Sequence, residues 1–247
     1  MSIKFKNGLP VKFEGYESPN ALDVITFFDD FLTTSISDTN DAATWDKTLT
    51  GSGTAALLDA TDADHDAMGG CVVLTPHTTN TDVASIIAHG EAFELVVGSE
   101  LYFETRFSPT DVSAVGCFIG LSGTDANANA GLVNGVGIQQ TASAFNIISD
   151  DTSGDVQTDA LTVAAPADGV WYNFAFKWDG VSKIDFYFST ADNELEWVHS
   201  LSTATTADLV PVNLSLTPTV EAVALTGCSG DAIWVDYVLC QMTRRRA

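Results

Sequence analysis

Positive charge is almost absent from the body of this chain. Its 247 residues carry ten Lys and Arg against 33 Asp and Glu, and between Glu14 and Asp236, where all the acids lie, the only bases are Lys47, Arg106, Lys177 and Lys183. The body therefore balances at −29, while Lys4, Lys6 and Lys12 near one end and Arg244, Arg245 and Arg246 at the other bring the whole chain to −23. A body this acidic repels nucleic acid and anionic membrane surfaces, so neither is expected as a partner. Three terminal arginines are too few to reverse that expectation. Short basic ends can instead reach an acidic protein partner.

Other absences exclude further classes. No run approaches the roughly eighteen consecutive apolar residues of a membrane-spanning helix. Residues 1–20 hold no apolar stretch of about seven to fifteen residues, so export by a signal peptide is not expected and synthesis in the cytoplasm is. The four cysteines, Cys71, Cys117, Cys228 and Cys240, form no CxxC or CxxH pair. They read as small buried hydrophobes of a reducing compartment, with a disulfide between neighbouring strands as the alternative.

What is present is short apolar alternation, punctuated by Gly, Asp, Asn, Ser and Thr, which predicts a many-stranded antiparallel fold in one domain. Leu101, Phe103, Thr105 and Phe107 should face a core, with Glu100, Tyr102, Glu104 and Arg106 outward. Phe93, Leu95 and Val97 make a similar face, and Gly98-Ser99 is expected to join the two runs as a hairpin. Val115 to Leu121 is a strand with Gly116 and Gly120 on one side, and Ser122 to Gly135 a long surface loop. Tyr172, Phe174, Phe176 and Trp178 begin a three-stranded meander that turns at Asp179-Gly180, continues through Ile184, Phe186 and Phe188, and ends over Leu195 to Leu201. In the last strand Ile233, Val235, Tyr237 and Leu239 alternate with Trp234, Asp236 and Val238. Residues 1–20, with Ile3, Phe5, Val11 and Phe13 between lysines, read as an extended arm, residues 21–243 as the sandwich and 244–247 as a basic tail.

The blocks GGCVVLTP (69–76), FELVVGSELYFETRF (93–107), VGCFIGLSG (115–123), GVWYNFAFKWDG (169–180) and IWVDYV (233–238) occur in an order that resembles the concanavalin A-like or laminin G-like jelly-roll superfamily. That resemblance implies an all-β, antiparallel β-sandwich. An acidic chain with a short basic arm is also similar to capsid-associated proteins of tailed bacteriophages. This second likeness implies a decoration, or cement, protein on the virion surface whose partner is the major capsid protein. Ile3, Lys4, Phe5, Lys6, Lys12, Arg244, Arg245 and Arg246 would dock on the shell, and a homo-oligomer is expected there. Because the same sandwich also carries sugar-binding modules, the alternative expectation is a carbohydrate-binding or receptor-adhesion module that stacks Trp197 or Trp234 on a sugar.

Catalytic signatures are missing. Glucanases of the superfamily place carboxylates on one strand as ExDxxE, and the nearest text, Glu194 and Glu196 in NELEW, lacks the Asp and the third acid. Ser122 in GLSGT misses the second glycine of GxSxG. His65, His77, His89 and His199 show no metal-ligand spacing. A non-catalytic protein without a cofactor is therefore expected. Asp62, Asp64 and Asp66 are the one metal-like group, a candidate for Ca²⁺, although Ala67 and Val73 replace the glycine and bidentate glutamate of an EF-hand loop; Asp150, Asp151 and Asp155 form a second acidic loop.

Overall fold

The computed structural model describes residues 24–32, 34–38, 43–58, 70–89, 93–123, 128–151, 156–190, 193–204 and 209–243, together with the backbone of two short strands. Those two, Lys4–Lys6 (β1) and Leu9–Lys12 (β2), pair with each other as a separate sheet inside the segment expected to form an arm. Ile3, Arg244, Arg245 and Arg246 lie outside the described residues.

The next strands along the chain are Val24–Asp29 (β3), Ile36–Ser37 (β4), Trp45–Leu49 (β5), Thr54–Leu58 (β6), Cys71–Thr75 (β7), Val83–Ala88 (β8), Phe93–Glu94 (β9), Leu101–Pro109 (β10) and Val115–Ser122 (β11). After one helical turn, Ala128–Gly131 (α1), come Gly135–Gln140 (β12), Phe145–Asp150 (β13), Gln157–Ala160 (β14), Tyr172–Trp178 (β15), Lys183–Thr190 (β16), Glu196–Ser202 (β17), Ser215–Ala224 (β18) and Ile233–Thr243 (β19). An eight-stranded sheet runs β17-β16-β15-β10-β19-β7-β6, with β3 also on β19. A nine-stranded sheet runs β14-β13-β12-β11-β18-β8-β5-β4, with β9 also on β18. Pairing between these strands is antiparallel except for β4 with β5.

The inner faces meet in one apolar core. From the eight-stranded sheet come Phe103, Phe107, Phe174, Phe176, Trp178 and Phe186; from the nine-stranded sheet come Ile119, Leu121, Val136, Ile138, Phe145 and Val220. Phe103 stacks on Phe176 with centroids 5.1 Å apart, and Phe145 meets the edge of Tyr172 at 4.8 Å across the sandwich. These rings supply large apolar areas in geometries that aromatic quadrupoles favour. Glycine lets two backbones close up within the second sheet: a Cβ on Gly120 would lie 2.3 Å from the Val136 carbonyl oxygen. The three-stranded meander of β15, β16 and β17 forms as expected, with regular alternation in β15 and β16, Gly180 at φ 74° in the turn and Asp179 accepting three successive backbone N–H groups.

Three expectations are corrected. Gly98-Ser99 does not close a hairpin: β9 pairs with β18 in the nine-stranded sheet, whereas β10 belongs to the other, so this turn carries the chain from sheet to sheet and leaves Val97 exposed. Phe93 and Leu95 enter the core as expected. Within the expected loop 122–135, α1 forms because the buried Glu221 carboxylate accepts the Ala128 and Asn129 N–H groups, both at 2.9 Å. In β19 alternation breaks at Asp236. Tyr237 stands opposite Arg106 and Val235 opposite Phe107, so Asp236 is an extra residue and the side chains beyond it change faces. Val238 and Cys240 therefore enter the core, while Tyr237 and Leu239 join Tyr102 and Ala175 on the outer face of the eight-stranded sheet.

That outer cluster holds an acid the sequence placed in solvent. Glu104 is only 4% exposed, and its two carboxyl oxygens accept the Tyr102 and Tyr237 hydroxyls, each at 2.6 Å. Burial pushes its pKa up, against the opposing pull of the two tyrosine hydrogen bonds. A folded-state pKa above the unfolded value makes the group most favourable to folding below about pH 4.3, and the contribution is lost as pH rises through the raised value. The difference in melting temperature between Glu104→Gln and the parent, followed from acid to neutral pH by calorimetry, should therefore move in favour of the variant. A second expectation concerns Asp29, whose oxygens accept the Trp45 indole N–H and the Phe31 N–H at 2.7 Å each in the core. Trp45→Phe leaves one of those oxygens without its donor and should cost about 1–3 kcal/mol in urea unfolding, beyond the loss of packing.

Candidate functional site

Alternation decides which tryptophans can meet a ligand. Trp45 and Trp178 are fully buried. The others belong to the outer face of the eight-stranded sheet: Trp171 lies beneath the Arg106 guanidinium, 4.7 Å from ring centroid to Cζ, Trp234 falls between two core residues of β19 and is half-buried, and Trp197 on the edge strand β17 is 60% exposed. Four strand spacings separate β17 from β19, about 19 Å. The fold thus does not bring Trp197 and Trp234 into one site.

A second bulge builds the surroundings of Trp197. Phe186 pairs with His199 and Tyr187 with Trp197, leaving Val198 as an extra residue in β17. Unbroken alternation would put residues 197 and 200 on opposite faces. The bulge puts both outward, Ser200 opposite Asp185 and Trp197 opposite Tyr187. The indole Nε1–H then points at Ser200 Oγ, 3.1 Å away, and at Asp185 Oδ1, 3.3 Å away; Ser200 Oγ also donates to Asp185 Oδ1, and Lys183 Nζ lies 2.7 Å from that oxygen. Partial burial acts to raise the Asp185 pKa, but the Lys183, Ser200 and Trp197 donors outweigh it and hold the carboxyl below the usual range. The anchoring group is therefore ionised at neutral pH. The outcome is a large ring fixed in orientation by its one polar atom, with its apolar surface in solvent.

The remaining candidates separate cleanly. Lys4, Phe5, Lys6 and Lys12 belong to β1 and β2, and Asp62, Asp64, Asp66, Asp155 and His65 lie outside the described residues. Among the described residues no group of three or more His, Cys, Asp or Glu could hold a metal ion. Asp150 is buried, with Oδ2 accepting the Asn134 N–H at 2.9 Å and no protein partner at Oδ1. Each described histidine lies beside an aspartate: His77 by Asp82 at 3.0 Å, His89 by Asp46 at 2.7 Å and His199 by Asp159 at 3.4 Å. Ser122 is buried and shares a hydrogen bond with Thr219, and none of those three pairs includes it. Glu194 and Glu196 are exposed beside the turn, as expected. All four cysteines are free and buried, and burial pushes the Cys71 and Cys117 thiols up to about 12. Those two are inert thiols at neutral pH.

The two features that sequence reasoning missed, the Trp197–Ser200–Asp185 anchor and the tyrosine clasp on Glu104, both depend on bulges. The available signal was Trp197 followed by Val198, which offers apolar residues at two successive positions where a half-buried strand should offer one.

No protein-family model matches this chain, and no curated protein matches it either. Solved structures do. A protein of unknown function, SO2946 from Shewanella oneidensis MR-1, superposes with a TM-score of 0.63 at 15% identity over 95% of this chain and 93% of its own. Peanut lectin gives 0.55 at 10% identity over 90% of this chain and 98% of its own. Winged bean acidic lectin, solved with methyl-α-D-galactose, gives 0.57 at 10% identity over 90% and 99%. At such identities the likeness concerns the backbone: the chain has the all-β, two-sheet, lectin-like jelly-roll fold.

Proposed function

We propose that this protein is a non-catalytic carbohydrate-binding module and that Trp197 is the platform on which a sugar ring stacks. The observation that carries the reading is the anchored indole. An exposed tryptophan normally samples several rotamers, and ordering it costs binding free energy; here Ser200 and Asp185 hold Nε1 in advance. What remains in solvent is an apolar ring face bordered by hydroxyl, carboxylate and ammonium groups, the composition that suits a pyranose with one C–H face and hydroxyls around its rim. The lectin-like fold is compatible with this role and does not by itself select it.

Charge segregation supports a second reading, a decoration protein of a phage capsid. On that reading the acidic sandwich faces solvent and the basic ends, including Lys4, Lys6, Lys12 and Arg244 to Arg246, pair with carboxylates of the major capsid protein in a homo-oligomeric, virion-surface assembly. Adhesion and decoration are separable by experiment. A glycan array should show specific binding that Trp197→Ala weakens by about tenfold or more, roughly 1.4 kcal/mol, while the melting temperature stays nearly unchanged because an exposed ring is removed. A blank array, together with capsid co-sedimentation that is lost on deleting residues 1–13 and 244–247, would reverse the ranking of the two readings.

A further inference from the structure

We infer that the Trp197 platform selects uncharged glycans and turns away those carrying carboxylates; this rests on the carbohydrate reading above. The indole N–H is already used inside the protein, so the ring offers a ligand its face and no donor. Polar recognition falls to the groups around it. Asp185 Oδ1 collects the Lys183, Ser200 and Trp197 donors, which leaves Oδ2 as the acceptor for a ligand hydroxyl. A hydroxyl can donate to that oxygen. A carboxylate cannot.

The neighbouring charges act in the same sense. Glu194 and Glu196 are exposed on the segment leading to Trp197, Glu196 as its immediate neighbour in β17. Against these acids stands Lys183, already 2.7 Å from Asp185. Recognition of a carboxylate ordinarily relies on an arginine fork or an uncommitted ammonium. Arg106, the one arginine among the described residues, is bound to Asp236 at 2.8 Å and sits on β10, three strands from β17. A sialic acid or hexuronate over Trp197 would therefore enter a negative field with no uncommitted cation beside it among the described residues.

The test is an array of matched pairs: galactose- or glucose-terminated oligosaccharides with and without a terminal sialic acid, and hexose chains against the corresponding hexuronates. The uncharged member of each pair should bind about tenfold more tightly at low salt, with the gap narrowing as ionic strength rises because the repulsion between exposed charges is screened. Glu194→Gln combined with Glu196→Gln should narrow the gap at low salt while leaving affinity for the uncharged member unchanged. If acidic glycans bind Trp197 as tightly as neutral ones or more so, the inference is overturned and the carbohydrate reading stands. An array on which nothing binds overturns both.

Discussion

A strand in a packed sheet can show solvent only every second residue, and the surface chemistry of this sandwich depends on the two places where that count is broken. Asp236 in β19 and Val198 in β17 are extra residues, and each moves the side chains after it to the opposite face. Without the first, Tyr237 would point into the core and Glu104 would lose one of its two hydroxyl donors. Without the second, Trp197 and Ser200 could not share a face, and Asp185 would not anchor the indole. A bulge costs a ladder hydrogen bond and a regular turn of the pleat. Here each one gathers polar partners that regular alternation would keep apart.

The same two bulges explain how so acidic a chain keeps charge on a face that is partly sealed. Glu104 is covered by tyrosines that donate to it, Asp185 gathers three donors on one oxygen, and Asp236 is paired with Arg106. Glu221 on the other sheet is satisfied by the backbone of α1. With four bases in the whole acidic body, salt bridges supply only part of these partners, Arg106 for Asp236 and Lys183 for Asp185. Hydroxyl, indole and backbone N–H donors supply the rest, and they make the positions of those side chains more specific than a surface ion pair would.

Fold class was readable from the sequence because burial imposes a period of two on every strand whose neighbours are regular. The first two strands of the meander, β15 and β16, and the inner face of β10 follow that rule and were legible down to single residues. The corner at Gly98-Ser99 was not, since a turn between two apolar runs looks the same whether the chain returns to its own sheet or crosses to the other. Only the partner of β9, which lies more than a hundred residues away in β18, distinguishes the two cases. Bulges were hidden for a related reason: they are defined by what stands opposite, and Asp236 looks like an ordinary outward residue until Phe107 and Arg106 are placed beside it. Trp197 could be named as a candidate from its residue type alone, whereas Asp185 and Ser200 could be joined to it only through the register of β16 and β17.

An exposed, anchored tryptophan at the edge strand also answers a problem that any open sheet has. Edge strands present unpaired backbone groups and invite another strand to add on. In β17 the bulge at Val198 disturbs the regular spacing of those groups, and the exposed, charged Glu196 precedes Trp197 in the strand, opposite Phe188. Both features hinder a flat, continuous addition of a second strand. The device that turns Trp197 outward thus also protects the edge on which it stands, so a ligand platform and a guard against strand-to-strand association arise from one inserted residue.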